Sequence, residues 1–468
     1  MTLKTTGILL KLMPLILFMG CASSTTYKQQ FVGVEDKLQV HDYNTILIDI
    51  EESKERCYKK KDQVLYYLDV GLLNHFAGNW RASNILLEEA EKSIESAYTR
   101  SVSRAASSML LNDNVLEYAG EAHEDLYLNI FKALNYATLG ESDSAMVEVR
   151  RIGNKLNMLE DKNAKFAEKY NQLQKAGKRF KQGHNRFYDS ALARYLSMIM
   201  YRANGNVDDA RIDRDKIKAI WKSTGSIYTF RMPSFATTLT PPPDGYAKLN
   251  VISFIGRLPD KLARTLYIKT QPRSITITAT QQTDYNRNQV KILEVIPWRG
   301  SEPLPRGIQM KFQVPYMKMR TSRVGSIRLM LNNHELGRFS TIESMDKVAY
   351  EIFKVKEPLI YLKTVMRTAL KSIACAAAVK ELQSHSDGQK IPPELIELMF
   401  SFTENADLRV SQFFPATANI CEIDVPIGLY SVGVVYYDHN GIRIFTDNLG
   451  SINVKSEKLN LLESFYLN

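Results

Sequence analysis

Histidine, cysteine and acidic residues are the side chains of this sequence that could carry metal or nucleophilic chemistry. The usual arrangements are missing, because the 468 residues contain no H-E-x-x-H, G-x-S-x-G, G-x-x-x-x-G-K-[ST] or paired C-x-x-C motif. The seven histidines are dispersed, with no metal pair at helical or strand spacing: His41, His75, His123, His184, His334, His385 and His439. The sequence therefore predicts no catalytic residue, no metal site and no cofactor.

Two histidines lie in segments with helical periodicity. His75 lies on an apolar segment, where we expect a buried histidine with satisfied hydrogen bonds. His123 has Glu121 and Glu124 close by in the sequence, and such a set could mimic a metal-ligand cluster. Because neighbouring residues on a helix point in different directions, a metal site is the less favoured interpretation.

Three other polar groups allow two interpretations each. Glu148 and Asp143 could form a carboxylate pair, but exposed helix charges are the ordinary interpretation. The polar residues at 112–121 could line a ligand site, or they could cap helices and form a turn. The basic run at 175–181, ahead of His184, could contact phosphate or acidic glycan, whereas a solvated helix end is the default.

The first 20 residues have the character of a secretory signal. An apolar stretch at 8–19 is shorter than the roughly 20 residues that a membrane-spanning helix needs. It leads into Leu-Phe-Met-Gly-Cys at 17–21, which resembles the lipobox of bacterial lipoproteins. That resemblance implies that the thiol of Cys21 is acylated and that the signal peptide, residues 1–20, is removed. A truncated membrane anchor with an incidental cysteine is the alternative.

The lipobox resemblance also implies a location. Ala22 rather than an aspartate follows Cys21, which under the sorting rule of enteric bacteria favours the outer membrane over the inner one. Residues 21–35 are then a lipidated tether, and the rest of the chain faces the periplasm. We therefore expect a cell-envelope protein that contacts the membrane through the lipid on Cys21.

Size and charge restrict the class of protein. Removal of residues 1–20 from the 468 leaves 448, enough for two or three domains with more than one core. The formal charge is +10, of which Lys4 and Lys11 supply two, so the mature chain keeps +8. This charge permits weak attraction to anionic lipid or acidic glycan. We expect no nucleic-acid partner, because no recognition motif is present.

Three cysteines remain after Cys21, namely Cys57, Cys375 and Cys421. An odd number excludes a complete disulfide framework. One bond between Cys375 and Cys421 could form in an oxidising compartment, while three buried free thiols are the simpler alternative. The spacing of the cysteines predicts no zinc site.

Residues 36–222 contain three related turns between helices. Each turn has a glycine, four further residues and then a small residue, with an apolar helix before it and a charged amphipathic helix after it. This pattern is typical of the helix-turn-helix unit of tetratricopeptide repeats. The turn positions are Gly78 with Ser83, Gly140 with Ala145, and Gly205 with Ala210.

The repeat interpretation has an irregular period. The glycines are 62 and 65 positions apart, nearly twice the ordinary repeat of about 34 residues. We therefore expect further helices at about 95–123 and 160–182 to complete the stack. Gly140 is expected in the left-handed conformation that ends a helix. A helix pair with one apolar face cannot bury that face alone, so the pairs are predicted to stack.

A more specific resemblance rests on three segments: LYYLDVGLLNHFAGNWRASNILLEEAE at 65–91, NDNVLEYAGEAHEDL at 112–126 and ALNYATLGESDSAMVEVRR at 133–151. Together they resemble an uncharacterised family of bacterial lipoproteins with a repeat-like helical half and a strand-rich C-terminal part. The resemblance implies that fold and an envelope location. It implies no catalytic residues, because the family has no assigned chemistry.

The pattern changes after the helical half. Residues 223–247 contain Pro241, Pro242 and Pro243, which cannot continue a helix, and we predict a linker there. Beyond it, apolar and β-branched residues alternate with polar ones. This alternation predicts half-exposed antiparallel strands in a β-rich domain at 248–342.

A helical insert is expected at 343–405, with a first helix that starts at Pro358 and a second helix at 391–402. Residues 406–468 are again predicted as a strand-rich segment. Two residue pairs suit tight hairpin turns, Asn332–Asn333 and Asn440–Gly441. The predicted fold is α+β and multidomain: a tetratricopeptide-like α-solenoid, then an antiparallel, sandwich-like β region with a helical insert.

These features favour a non-enzymatic scaffold that binds an envelope protein or peptide in a groove of the helical repeats. The alternative is a peptidoglycan- or glycan-binding module that uses exposed aromatics of the β region, such as Trp298 and Tyr436. An enzyme with an unrecognised site is the third and least favoured interpretation.

Overall fold

The computed structural model describes residues 33–103, 113–173, 185–234, 238–282, 288–300, 303–384, 404–456 and 458–468. The predicted signal peptide, Cys21, most of the tether, the basic run at 175–181 and the helix predicted at 391–402 lie outside the described residues. The described residues are 46% helical and 29% strand, with helices in the N-terminal part and mainly antiparallel sheets in the C-terminal part. In the described ranges, no helix is both long enough and apolar enough to cross a membrane.

In the described part of the helical half, three short helices precede three helix pairs. The short helices are α1 (Val34–Gln39), α2 (Tyr43–Glu52) and α3 (Lys54–Cys57). The pairs are α4 (Gln63–Phe76) with α5 (Trp80–Ser103), α6 (Ala122–Thr138) with α7 (Ser142–Leu173), and α8 (Ala191–Ala203) with α9 (Val207–Ser223). The glycine between the helices of each pair has positive φ, 79° at Gly78, 78° at Gly140 and 74° at Gly205. These angles are ones that only glycine adopts without strain.

Successive helix pairs contact each other, α5 against α6 and α7 against α8. The first helix of each pair is buried on almost every side, while the second is amphipathic and exposes its outer face. The helices predicted at 95–123 and 160–182 do not exist as separate elements within the described residues. Instead α5 and α7 are long and run into those regions, because their apolar stripes continue through Ile94 and Leu159.

Among the residues described after 234, twelve strands and one long helix follow. The strands are β1 (Tyr246–Ile255), β2 (Asp260–Gln271), β3 (Ser274–Gln282), β4 (Asn288–Pro297), β5 (Gln309–Lys318), β6 (Val324–Leu331), β7 (His334–Arg338), β8 (Ser340–Ser344), β9 (Thr417–Pro426), β10 (Gly428–Asp438), β11 (Arg443–Val454) and β12 (Asn460–Tyr466). Helix α10 (Met345–Ser384) lies between β8 and β9. The hairpin turns predicted at Asn332–Asn333, with φ of 48° and 64°, and at Asn440–Gly441 are confirmed.

The strands form three sheets of four. The central sheet has the order β12-β1-β9-β8, the outer sheet β11-β10-β6-β7 and the side sheet β4-β3-β2-β5. All neighbours are antiparallel except β1 and β12, which pair in parallel and so depart from the predicted antiparallel pattern. This pairing adds the C-terminal strand to the edge of the central sheet.

The central sheet is buried on both faces. One face packs on the outer sheet through residues such as Val251, Leu329 and Val434. The other packs on the first helices of the pairs through residues such as Phe254 and Ile420, in the same core cluster as the helical half. The protein is therefore layered as second helices, first helices, central sheet and outer sheet.

Helix α10 differs from its prediction. It begins at Met345, directly after β8, and Pro358 lies inside it rather than at its start. The turns before the proline were missed although Val348 and Ile352 form an apolar stripe that packs into the main core. The following turns, with Val365 and others, cover the side sheet and form a separate core with it.

The segment predicted as a linker packs on the core. Ile227 and Tyr228 are buried, and the Tyr228 hydroxyl donates a hydrogen bond of 3.1 Å to Glu343 on β8. Among the cysteines, Cys421 is a buried free thiol, so it is not bonded to Cys375. Cys57 is only half-buried, which differs from the expectation of three buried thiols.

Candidate functional site

The face of the helical layer that the first helices share is covered by the central sheet. Phe131 on α6 lies 5.3 Å from Phe254 on β1 between ring centroids, and Phe76 on α4 lies 4.8 Å from Phe465 on β12. The repeat groove that the sequence suggested for a partner is therefore filled by the chain's own strands. A site for a partner must lie elsewhere on the helical layer.

His75 lies in this covered interface. One ring nitrogen is 2.6 Å from the Asn135 side-chain oxygen and the other is 3.1 Å from Glu463 on β12. The prediction of a buried histidine with satisfied hydrogen bonds is confirmed. Its role is to join the helical layer to the central sheet.

Glu343 joins the same two layers from the strand side. Its carboxylate accepts hydrogen bonds from the hydroxyls of Tyr127, Ser190 and Tyr228 and from the backbone N–H of Leu192, at 2.7 to 3.1 Å. Burial raises the pKa of the Glu343 carboxyl, and these four donors oppose the rise. The group is structural, since every neighbour belongs to the fold.

A network of charges lies between α5, α6 and α7, and we call it the stack cluster. Lys132 on α6 is 1% exposed and lies 2.6 Å from Glu88, 2.8 Å from Glu91 and 3.1 Å from Glu148. Arg151 on α7 contacts the same three carboxylates at 3.0 to 3.5 Å. Glu148 is 4% exposed, so the interpretation of it as an exposed helix charge is wrong.

The cations of the stack cluster keep Glu91 ionised. Burial acts to raise the pKa of Glu91, but Lys155 and Lys132 outweigh it and lower that pKa to about 2. Lys155 on α7 lies 2.6 Å from Glu91 and 2.6 Å from Asp125 at the same time. The cluster therefore fixes α7 to both α5 and α6.

A second group of buried acids lies where the loop at 404–416 meets the helices, and we call it the junction cluster. Glu124 on α6 accepts a hydrogen bond from the Ser411 N–H at 2.5 Å and another from the Tyr118 hydroxyl at 2.7 Å. Asp69 on α4 accepts from the Ser411 hydroxyl at 2.6 Å and from the Tyr58 hydroxyl at 2.9 Å. One serine is thus held by two carboxyl groups.

The junction carboxyls have no cation among these hydrogen-bonding partners. Burial raises the pKa of Glu124 to about 7 and the pKa of Asp69 to about 6, and the neutral donors offset the rise only in part. Both groups therefore titrate within the pH range in which most proteins are folded. Paired buried carboxyls can serve as acid and base in enzymes, but these two are closed off from solvent by the loop.

The set Glu121, His123 and Glu124 does not form one site. Glu121 lies 2.6 Å from Lys261 on β2, and Glu124 faces the junction cluster. His123 is 1% exposed, neither ring nitrogen has a hydrogen-bond partner in the described residues, and burial lowers its pKa to about 4. Within the described ranges no three histidine, cysteine or acidic side chains converge as metal ligands.

A pocket of about 170 Å³ lies between the two clusters, and we call it the basic pocket. It is formed where α5, the start of α6, α7 and α10 approach one another. Apolar side chains line part of its wall, namely Ile94, Ala122, Leu126 and Leu159. This volume is well below the 300 Å³ or more that holds a cofactor-sized ligand, so the pocket fits a single side chain or a group of that size.

The charged residues of the basic pocket differ in how fully they are paired. Lys155 is held by Glu91 and Asp125 of the stack cluster. Lys356 on α10 is 30% exposed and has Glu121 at 3.9 Å. Lys162 on α7 lies 4.8 Å from the Tyr98 ring centroid, with no carboxylate within 4 Å in the described part of the chain.

The loop at 112–121, for which a ligand site was one of the two interpretations, supplies Ala119, Gly120 and Glu121 to this pocket, but none of the pocket's lysines was predicted from the sequence. Lys155, Leu159 and Lys162 share one face of α7 at positions i, i+4 and i+7, and two lysines beside the apolar stripe were a usable signal. Lys356 gave no signal, because only the packing of α10 brings it there. The turn residues Gly78, Gly140 and Gly205 lie outside the pocket lining, and Cys21 lies outside the described residues.

The aromatics that were expected on the surface of the β region are buried. Trp298 is 4% exposed in the core of the side sheet, and Tyr436 is 0% exposed between the central and outer sheets. The expectation that they are exposed is wrong, because Tyr436 lies on the face of β10 that packs into a core and Trp298, which directly follows β4, packs into the core of the side sheet. No family model, curated protein or solved structure matches the chain, so comparison with known proteins does not identify the site.

Proposed function

We propose that the chain is a lipid-anchored protein of the bacterial cell envelope that acts as a non-enzymatic binding scaffold. In this proposal the three helix pairs are tetratricopeptide-like units, the lipid on Cys21 holds the protein at the outer membrane, and a partner protein or peptide binds at the basic pocket. The glycine corners support the repeat assignment, and the Gly20–Cys21 pair supports the anchor.

The basic pocket is the observation that carries the binding role. It combines an apolar wall with Lys162 and Lys356, whose charges are less completely paired than that of Lys155. The pocket also replaces the repeat groove, which the central sheet covers. Rigid support is present on both sides, because the stack cluster holds α7 and the junction cluster holds the start of α6.

The alternative function, glycan binding, is not supported, because the two aromatic residues that favoured it are buried. A sugar ring stacks on an accessible aromatic face, and neither Trp298 nor Tyr436 offers one. A buried carboxyl pair at Asp69 and Glu124 does not favour an enzyme either, since its hydrogen bonds all go to the fold. We therefore propose the binding scaffold as the function and retain neither alternative.

The anchor is tested with the full-length chain and its Cys21→Ala variant in a bacterial host. We expect palmitate labelling and membrane sedimentation of the unmodified chain, and loss of both in the variant. The fold of the variant should be intact, because Cys21 precedes the described core. A variant that keeps its label and its place in the membrane fraction would contradict the anchor.

The binding role is tested by amine-reactive crosslinking of the tagged full-length chain in living cells, followed by mass spectrometry. We expect an envelope protein crosslinked to Lys162 or Lys356. Lys354, which is exposed on the same helix as Lys356, is the matched reference position. Adducts at Lys354 with none at the pocket lysines would argue against a partner at the pocket.

A further inference from the structure

We infer that the basic pocket recognises an acidic peptide segment of the partner, in which one large apolar side chain is flanked by carboxylates. This inference deepens the proposed function and rests on it. Its basis is the match between three properties of the pocket, namely its volume, its apolar wall and the lysines at its edge.

The volume selects the size of the bound group. About 170 Å³ accommodates one bulky side chain rather than a nucleotide or a drug-sized molecule. The apolar wall of Ile94, Leu126 and Leu159 rewards burial of aliphatic or aromatic surface. An extended peptide that inserts one large apolar residue uses the pocket fully.

The lysines select the charge of the flanking residues. Lys162 comes from α7 and Lys356 from α10, so the two cations stand on different helices that contribute to one pocket. Lys162 has an aromatic face as its neighbour and Lys356 has a carboxylate only at 3.9 Å. A carboxylate brought close to either ammonium would add an ion pair, whereas a lysine or arginine there would be repelled.

The acids beside the pocket do not cancel this preference. Glu121 is held at 2.6 Å by Lys261, and Asp125 is held at 2.6 Å by Lys155. Lys261 and Lys356 outweigh the effect of burial and lower the pKa of Glu121, which stays ionised and paired. The charges left for a ligand are therefore positive.

The experiment is a fluorescence anisotropy titration of the chain from residue 22 onward with a labelled peptide Glu-Asp-Phe-Asp-Glu. Matched peptides replace the phenylalanine by glycine or the four acids by lysine. We expect binding of the first peptide that weakens at least tenfold with either change and weakens with rising salt. No binding up to millimolar peptide, or equal binding of all three, would overturn the inference.

Variants locate the site. Lys162→Glu combined with Lys356→Glu should weaken peptide binding at least tenfold, while Lys165→Glu combined with Lys354→Glu, the same change at exposed positions of the same helices, should not. Circular dichroism melts check that all variants fold. Equal losses in both double variants would overturn the inference, because they would reflect net charge alone.

The same variants separate this inference from the proposed function. A crosslinked envelope partner that is lost with Lys162→Glu and Lys356→Glu supports both. A partner that is still crosslinked in that variant supports the scaffold role but contradicts recognition of an acidic peptide by these lysines. Binding of the chain to phosphatidylglycerol vesicles through these two lysines, without peptide binding, would replace the peptide by a lipid surface.

Discussion

The stack cluster and the junction cluster use the same residue types in opposite ways. In the stack cluster, Glu91 is surrounded by lysine and arginine side chains, and its pKa falls to about 2. In the junction cluster, Glu124 and Asp69 accept hydrogen bonds from hydroxyls and N–H groups, and their pKa values rise to about 7 and about 6. Burial is common to both, so the charge of the partners decides the outcome.

This difference separates a fixed region from a pH-sensitive one. The pKa of Glu91 in the stack cluster is lowered to about 2, so its ion pairs with Lys132 and Lys155, which attach α5 to α6 and α7, are constant near neutrality. The junction cluster loses protons as the pH rises, and each ionised carboxyl is then buried with hydroxyl and N–H groups as its hydrogen-bond donors. The basic pocket lies between them, bounded by Lys155 on one side and Glu121 on the other.

The largest expected effect comes from removal of the central cation of the stack cluster. Lys132→Met removes the buried cation that three carboxylates share and leaves the 41% exposed Arg151 as their common partner, and we expect the free energy of unfolding to fall by about 3 kcal/mol. Urea denaturation measures this change. The control is Lys92→Met, which removes a 60% exposed lysine near Glu88 and Glu89 and should cost less than about 0.5 kcal/mol. Equal effects of the two changes would break the comparison.

The second effect concerns the junction cluster and pH. The folded pKa of Glu124 is raised, so its contribution to stability is greatest below the unfolded pKa of about 4.5 and is lost as the pH rises through about 7. Glu124→Gln cannot ionise. We therefore expect its free energy of unfolding, relative to the unmodified chain, to increase by roughly 2 kcal/mol between pH 5 and pH 8.

The stack cluster supplies the contrast for this titration. The folded pKa of Glu91 is lowered, so its contribution is present above about 4.5 and is lost only as the pH falls toward 2. The difference between Glu91→Gln and the unmodified chain should be constant from pH 5 to pH 8. If the free energy of unfolding of Glu124→Gln, relative to the unmodified chain, were also constant over that range, the two clusters would not differ as described.

The smallest expected effect concerns the turn between α6 and α7 rather than the charged clusters. Gly140 has φ of 78°, and a Cβ at this position would meet no atom within 4 Å, so the cost of Gly140→Val is backbone strain alone, about 1 kcal/mol. Gly225→Val is the control, because that glycine also has open space but no positive φ. Equal melting temperatures of the two variants would remove the conformational reason for the glycine.

Local features of this molecule were predictable and its long-range contacts were not. Gly140 could be placed at a helix corner because φ preference is local, and the hairpin at Asn332–Asn333 follows from the same principle. The junction cluster could not be found this way, since Glu124 and Ser411 are 287 positions apart. The predicted start of α10 at Pro358 is too late, because a proline suits the first turn of a helix, whereas the packing of Val348 and Ile352 extends this helix to residues before the proline.

The central claim is that a partner binds the helical layer at the basic pocket. Its most direct test is in-cell photocrosslinking, with a photoreactive residue at position 98 of the full-length chain and, for comparison, at position 429. Tyr98 lines the pocket, whereas Leu429 is 70% exposed on β10 at the far side of the protein. We predict one discrete envelope-protein adduct from position 98 that position 429 does not give. No adduct from position 98, or the same adducts from both positions, would contradict the claim.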